Sequence, residues 1–224
     1  MPIVKAISGH TNCQKVKTYL EKRNRALARD FFNLSWDERE MQGYDEAMKD
    51  AVEWADEMDA TRVRCGNDEP YEGRRARTYK HFIISPDPDD HIDLPVLREL
   101  AGAWAMRFFG DYQVAIVYHD DNQNQIPHAH LVVNCTNLVT GNRLHTDNPF
   151  ELNRALQDMA RERGLSGLSN VMEHHEGLSR LAAKDEPEKR VTLLADPNKK
   201  EEKEKFFAPY VIENVIHATL KVEE

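Results

Sequence analysis

With 224 residues, 40% hydrophobic and 31% charged, the chain is long enough for one globular domain with a sizeable core and an appended segment. No run reaches the roughly 20 apolar residues of a membrane helix, the start MPIVKAISGH lacks a signal-peptide core, and no membrane insertion is expected. Cys13, Cys65 and Cys135 have no CxxC spacing and suit a reducing cytoplasm better than a disulfide framework or a cysteine zinc site. The net charge of −9 weighs against a generally basic nucleic-acid binder, but it is uneven. Asp37 to Asp59 holds ten carboxylates against Arg39 and Lys49, whereas Lys15 to Arg29 and Arg74 to Lys80 are locally basic.

The β-branched run Ile3 to Ser8 predicts a first strand, turned by Gly9-His10. Thr11 or Asn12 then caps a short helix carrying Val16, Tyr19 and Leu20. After an apolar patch at Phe31, Phe32 and Leu34, Ser35-Trp36-Asp37-Glu38 fits a capping box. It predicts an acidic helix to about Ala60 that buries Met41, Met48 and Val52. Gly66 to Gly73 is loop chemistry, and Thr78 to Ser85 a strand stopped by PDPDD. Leu97, Leu100, Ala101, Trp104 and Phe108 keep helical spacing up to Gly110.

Tyr112 to Tyr118 reads as a strand with a bulky face (Tyr112, Val114, Ile116, Tyr118) and a small one (Gln113, Ala115, Val117) that His119 continues. The strand HAHLVVN follows an eight-residue loop, and Thr140-Gly141-Asn142 marks a turn. Asn148-Pro149-Phe150-Glu151 starts a helix that Gly164 ends. Beyond about Ala183 the composition becomes charge-dense and poor in core residues. The expected organisation is a domain over 1–182 and, over 183–224, a charged linker with a small appended segment leading toward a further region.

The order strand, helices, strand, helix, strand, strand, helix predicts an α+β fold. It would have a central antiparallel β-sheet, helices on one face and a functional site on the other. On the HAHLVVN strand, His128, His130 and Asn134 share a face with Val132, while Ala129, Leu131, Val133 and Cys135 share the opposite one. One face packs and the other gathers imidazoles. His119 from the neighbouring strand completes a three-nitrogen set with open positions, the pattern of a catalytic metal site. Asp120 or Asp121 is placed to accept the free N–H of a ligating ring.

The segment HDDNQNQIPHAHLVVN resembles the third motif of conjugative relaxases, His-x-Asp-…-Pro-His-x-His-x-x-x-Asn, in the plasmid mobilisation branch of the His-hydrophobic-His endonucleases. His119, Asp121, Pro127, His128, His130 and Asn134 fall on it. Gly9-His10 with Tyr19-Leu20 is similar to the family's first motif, which supplies a nucleophilic tyrosine. Ser85 in HFIISPD resembles the serine of the second motif, which helps hold DNA near the nick. The likeness spans roughly residues 1 to 165.

The resemblance implies a relaxase-like fold with a ferredoxin/RRM-like core, in a cytoplasmic bacterial protein that nicks one strand of DNA at a transfer origin. Tyr19 would attack the scissile phosphorus to give a 5′-phosphotyrosine and a free 3′-hydroxyl. A divalent ion, Mg2+ or Mn2+, on His119, His128 and His130 would offset charge on the phosphate. A phenol's pKa near 10 requires that its proton leave during attack, to Asp121 or to a hydroxide on the ion. Lys15, Lys17 and Lys22 would contact phosphates, with Ser85 and Asn134 also meeting DNA. The implied partners are single-stranded DNA and accessory relaxosome proteins.

Other readings remain open on the sequence. Replication initiators and some transposases of the same superfamily place their tyrosine after the histidines, which makes Tyr210 the rival nucleophile. A small-molecule hydrolase would use the imidazoles without a tyrosine, and a DNA-binding module would use neither.

Overall fold

The computed structural model describes residues 2–41, 46–70, 72–122, 125–146 and 148–166. These residues belong to one compact unit, Met1–Leu168. The expected linker at 183–224, the boundary near 182, and Tyr44, Tyr71 and Tyr210 lie outside the described residues.

In chain order the elements are β1 (Ile3–Gly9), α1 (Cys13–Glu21), a 3-10 turn (Lys22–Asn24), β2 (Ala28–Phe32), α2 (Glu46–Lys49) and α3 (Trp54–Arg64). They continue with β3 (Tyr79–Ser85), a second 3-10 turn (Pro88–Asp90), α4 (Leu94–Phe109), β4 (Tyr112–His119), β5 (His128–Asn137) and α5 (Pro149–Glu162). The strands form one sheet in the order β1-β3-β5-β4-β2, and all four pairings are antiparallel. The α+β class is as expected.

The alternation of β4 and β5 decides which side chains lie under which layer. Val114, Ile116, Tyr118, Ala129, Leu131, Val133 and Cys135 join Phe82 and Ile84 beneath α4 and α5. Phe82, Trp104 and Phe109 pack there with ring centroids 5.2–5.7 Å apart, and the Trp104 indole donates to the Leu152 carbonyl at 2.9 Å. That satisfies the indole N–H while its rings fill the core. The Asn148 cap works as expected, accepting from Phe150 N at the start of α5, and Asp93 likewise accepts from Val96 N at the start of α4.

Three expectations need correction. Helices are not confined to one face, because α1 and α3 cover part of the other: Cys13, Val16, Leu20, Trp54, Ala55 and Met58 pack on Phe31, Ala115, Val117 and Val132. The edge strand β2 escaped the sequence reading, since Arg29 and Asp30 interrupt its apolar alternation. Asp30 is buried nonetheless, because Lys49, Arg98 and the Tyr118 hydroxyl surround its carboxylate. Finally, among the described residues the expected helix from Ser35 to about Ala60 does not start at Ser35, and the stretch instead carries the short α2 and the beginning of α3. The Glu38 carboxylate accepts from Phe31 N and pairs with Lys49 rather than reaching back to Ser35 N, and Ser35 N donates to Glu57 instead. A capping box needs reciprocal local bonds, and here tertiary partners claim both groups.

Candidate metal centre

Strand register delivers the histidines. β4 and β5 pair His119 directly opposite His128 and Val117 opposite His130, so all three rings stand on the face that α1 and α3 partly cover. Their ring centroids are 5.6 Å (His119–His128), 4.7 Å (His119–His130) and 5.1 Å (His128–His130) apart. One nitrogen from each lies within 4.8 Å of the others. His119 and His130 are buried and His128 is half-buried at the rim.

Each ring has its second nitrogen engaged. His119 Nε2 donates to the Leu20 carbonyl at 2.8 Å, and since a carbonyl only accepts, the tautomer is fixed and Nδ1 keeps its lone pair. That Nδ1 is buried with no hydrogen-bond partner. His130 Nδ1 is 2.9 Å from Nε2 of a fourth histidine, His81. His128 Nδ1 lies 3.3 Å from both the Ile126 carbonyl and Asn122 Nδ2, a looser arrangement. An orphaned buried lone pair beside two further imidazole nitrogens is a donor set that suits a divalent cation.

The electrostatics agree. Burial, with the Arg25 cation next, lowers His119 to about 4. Burial and its histidine neighbours hold His130 well below the ordinary histidine value. Both rings are therefore neutral at physiological pH, the state that ligation requires.

Tyr19 sits in the last turn of α1 and is exposed at 43%, whereas Val16 and Leu20 on the same helix are buried. It is the residue before Leu20, whose carbonyl holds His119. Past α1 the chain reverses sharply: Arg23 and Asn24 take left-handed φ of 61° and 54°, uncommon for residues with a Cβ. That reversal returns Arg25 beneath Tyr19, its guanidinium carbon 4.6 Å from the ring centroid. Arg25 donates to the carbonyls of Tyr19 (2.7 Å) and Leu20 (3.1 Å) and pairs with Asp121 at 3.2 Å. The other Asp121 oxygen is 3.7 Å from His128 Nε2. Tyr19, Arg25, Asp121 and His128 are thus linked in space.

The remaining sequence candidates divide. Ser85 is half-buried at the end of β3, on the His81 side of the strand by alternation. Lys22 is exposed just beyond α1, and Lys15 lines an open cleft of ≈ 430 Å3 with His10, Arg62 and Arg75 at the other end of that helix. Two candidates are corrected. Asn134 is fully buried, and its amide donates to the Met58 carbonyl (3.0 Å) and Gln113 Oε1 (2.8 Å), so it ties β5 to α3 and does not face a ligand. Lys17 is committed to Glu21 at 2.9 Å, with Glu53 at 3.9 Å.

Sequence reasoning missed His81 and Arg25. His81 had a signal, since counting back in twos from Ser85 puts it on the histidine face. Arg25 had none, because its carboxylate partner is 96 positions away.

The sequence profile of the family described as "Relaxase: MobA/VirD2-like, nuclease domain" matches residues 19–165. Among solved structures, one similar to this chain is the MobM relaxase domain (MOBV; Mob_Pre) bound to plasmid pMV158 oriT DNA, in a Mn-bound crystal. The likeness has a TM-score of 0.48 at 12% identity and covers 74% of this chain and 88% of that one. A second, described as the molecular basis of vancomycin resistance transfer in Staphylococcus aureus, gives the same TM-score and identity and covers 74% of this chain and 95% of that one. No curated protein sequence matches.

Proposed function

The chain belongs to the MobA/VirD2-like relaxase nuclease domains, and from that premise we propose that Tyr19 is its nucleophile and that His119, His128 and His130 hold its divalent ion. Its activity is the nicking of DNA for mobilisation; the residue roles are our reading. One observation carries it. The hydrogen bond from His119 Nε2 to the Leu20 carbonyl ties the imidazole cluster to the backbone of the residue that follows Tyr19.

The Tyr19 hydroxyl oxygen attacks the scissile phosphorus. The bond from phosphorus to the 3′-oxygen breaks, and a 5′-phosphotyrosine and a 3′-hydroxyl result. Arg25 fixes the ring from below and brings a cation to the place where the attacked phosphate gathers negative charge. Asp121, held by Arg25 and close to His128, takes the phenolic proton, which later passes to the 3′-oxygen. When bound, the ion supplies Lewis-acid stabilisation of the non-bridging phosphate oxygens. Lys15 on α1 and Lys22 just past its end lie on either side of Tyr19 in the chain and would meet phosphates of a single strand, and Ser85 borders the same face. Single-stranded DNA at a transfer origin is the substrate, and accessory relaxosome proteins present it. We read the chain as part of a cytoplasmic bacterial protein; among the described residues no helix is long and apolar enough to cross a membrane.

The test uses the full chain, Mn2+ and single-stranded oligonucleotides tiled across the replicon that encodes it. A DNA adduct that survives denaturing electrophoresis is expected for the native protein and is absent in Tyr19→Phe. Adduct lost in Tyr210→Phe and kept in Tyr19→Phe would transfer the role to Tyr210. Cleavage with no adduct would point to hydrolysis.

A further inference from the structure

His81 has no part in the chemistry derived above, and its place is unusual for a histidine. It lies mid-strand on β3, with Ile7 opposite it on β1 and Val132 opposite it on β5. It is 6% exposed. An apolar side chain would meet those neighbours at least as well, so packing does not call for an imidazole here. What the ring has is a polar partner: its Nε2 is 2.9 Å from His130 Nδ1, with ring centroids 5.1 Å apart.

A hydrogen bond between two neutral imidazoles has two possible directions, and they differ in consequence. If His81 Nε2–H donates, neutral His130 carries its own proton on Nε2 and offers no lone pair to the cluster. If His130 Nδ1–H donates, Nε2 is bare and able to ligate. Because His130 Nδ1 is taken up by His81, only Nε2 is left for an ion. We propose that His81 is a positioning residue that accepts the Nδ1 proton of His130 and so fixes the ligating tautomer and tilt of that ring. This rests on the reading of the three imidazoles as metal ligands. His119 is set in the same way by the Leu20 carbonyl, so both buried ligands owe their tautomer to an acceptor on a neighbouring element.

The experiment measures Mn2+ affinity of the full chain by titration calorimetry, without DNA, alongside the Co2+ absorption spectrum. His81→Phe fills the same space without a ring nitrogen, and His81→Gln places an amide oxygen near the lost Nε2. His119→Ala marks the site. His81→Phe is expected to bind Mn2+ about 10- to 100-fold more weakly with an altered Co2+ spectrum, and His81→Gln to recover most of the affinity. Native affinity in His81→Phe overturns the proposal. So does a loss in His81→Gln equal to that in His81→Phe, since ring shape would then matter and not the acceptor. A native protein that binds no Mn2+, or His119→Ala binding like the native protein, overturns the metal-site reading itself and the proposal with it.

Discussion

At the scale of single residues, Arg25 joins the parts of the site that are far apart in sequence. One guanidinium lies under the Tyr19 ring, holds the Tyr19 and Leu20 carbonyls, and pairs with Asp121. Its planar fork makes those bonds together, which a lysine ammonium on a flexible stem does not reproduce. Arg25→Ala is therefore expected to slow single-turnover adduct formation by about 100-fold, the scale of a misplaced reacting group. Arg25→Lys should recover little of it. Retention of the native rate in either variant would remove Arg25 from the site. The histidines themselves were legible in the sequence, because alternation two residues apart is a local property of a strand. His81 was legible only as one more residue on the histidine face, and Arg25 not at all, since their polar partners lie 49 and 96 positions away.

At the scale of elements, strands set the site better than helices do. The pairing of His119 with His128 follows from the β4–β5 connection, and both faces of β5 read correctly because its apolar pattern is uninterrupted. The start of the acidic stretch misled for the opposite reason: Ser35 and Glu38 bond across the fold and not along a helix. β1 and β3 are joined closely at Gly9, where an added Cβ would fall 2.2 Å from Tyr79 Cζ and 2.3 Å from Cε2. The ring lies over a glycine on an edge strand, a contact that no side chain permits without moving the ring. Gly9→Ala is expected to destabilise the fold by about 1–3 kcal/mol in urea denaturation. Mn2+ affinity should be kept, because Gly9 pairs with Tyr79, and Tyr79 in turn pairs with Asn134 on β5, away from His128. An unchanged denaturation midpoint would mean that the ring yields freely.

At the scale of the whole molecule, the buried histidines make stability depend on pH. Burial, then the charge of neighbours, lowers His81 and His119 to about 4 and pushes His130 down as well. An unfolded histidine titrates near 6.5. Between pH 6.5 and 4 the unfolded chain binds protons that the native protein refuses, so stability falls as pH falls through that window and is fully present above it. The thermal midpoint of metal-free protein should drop from pH 7.5 to 4.5, and less steeply in His81→Phe. A flat profile would contradict the neutral buried cluster. Mn2+ at pH 7.5 should raise the midpoint, since the ion binds only the folded arrangement.

The sequence by itself determined the antiparallel α+β class, the two faces of β5, the histidine trio and the family likeness. Each depends on periodicity or spacing within a short stretch, and local backbone geometry reads such patterns directly. Tertiary structure alone decided that α1 and α3 share the histidine face, that Asn134 is buried in the frame, and that Arg25 links Tyr19 to Asp121. It also decided that His81 meets His130. Those facts depend on which distant groups a buried donor or acceptor finds as its partner, and sequence spacing carries no record of that choice.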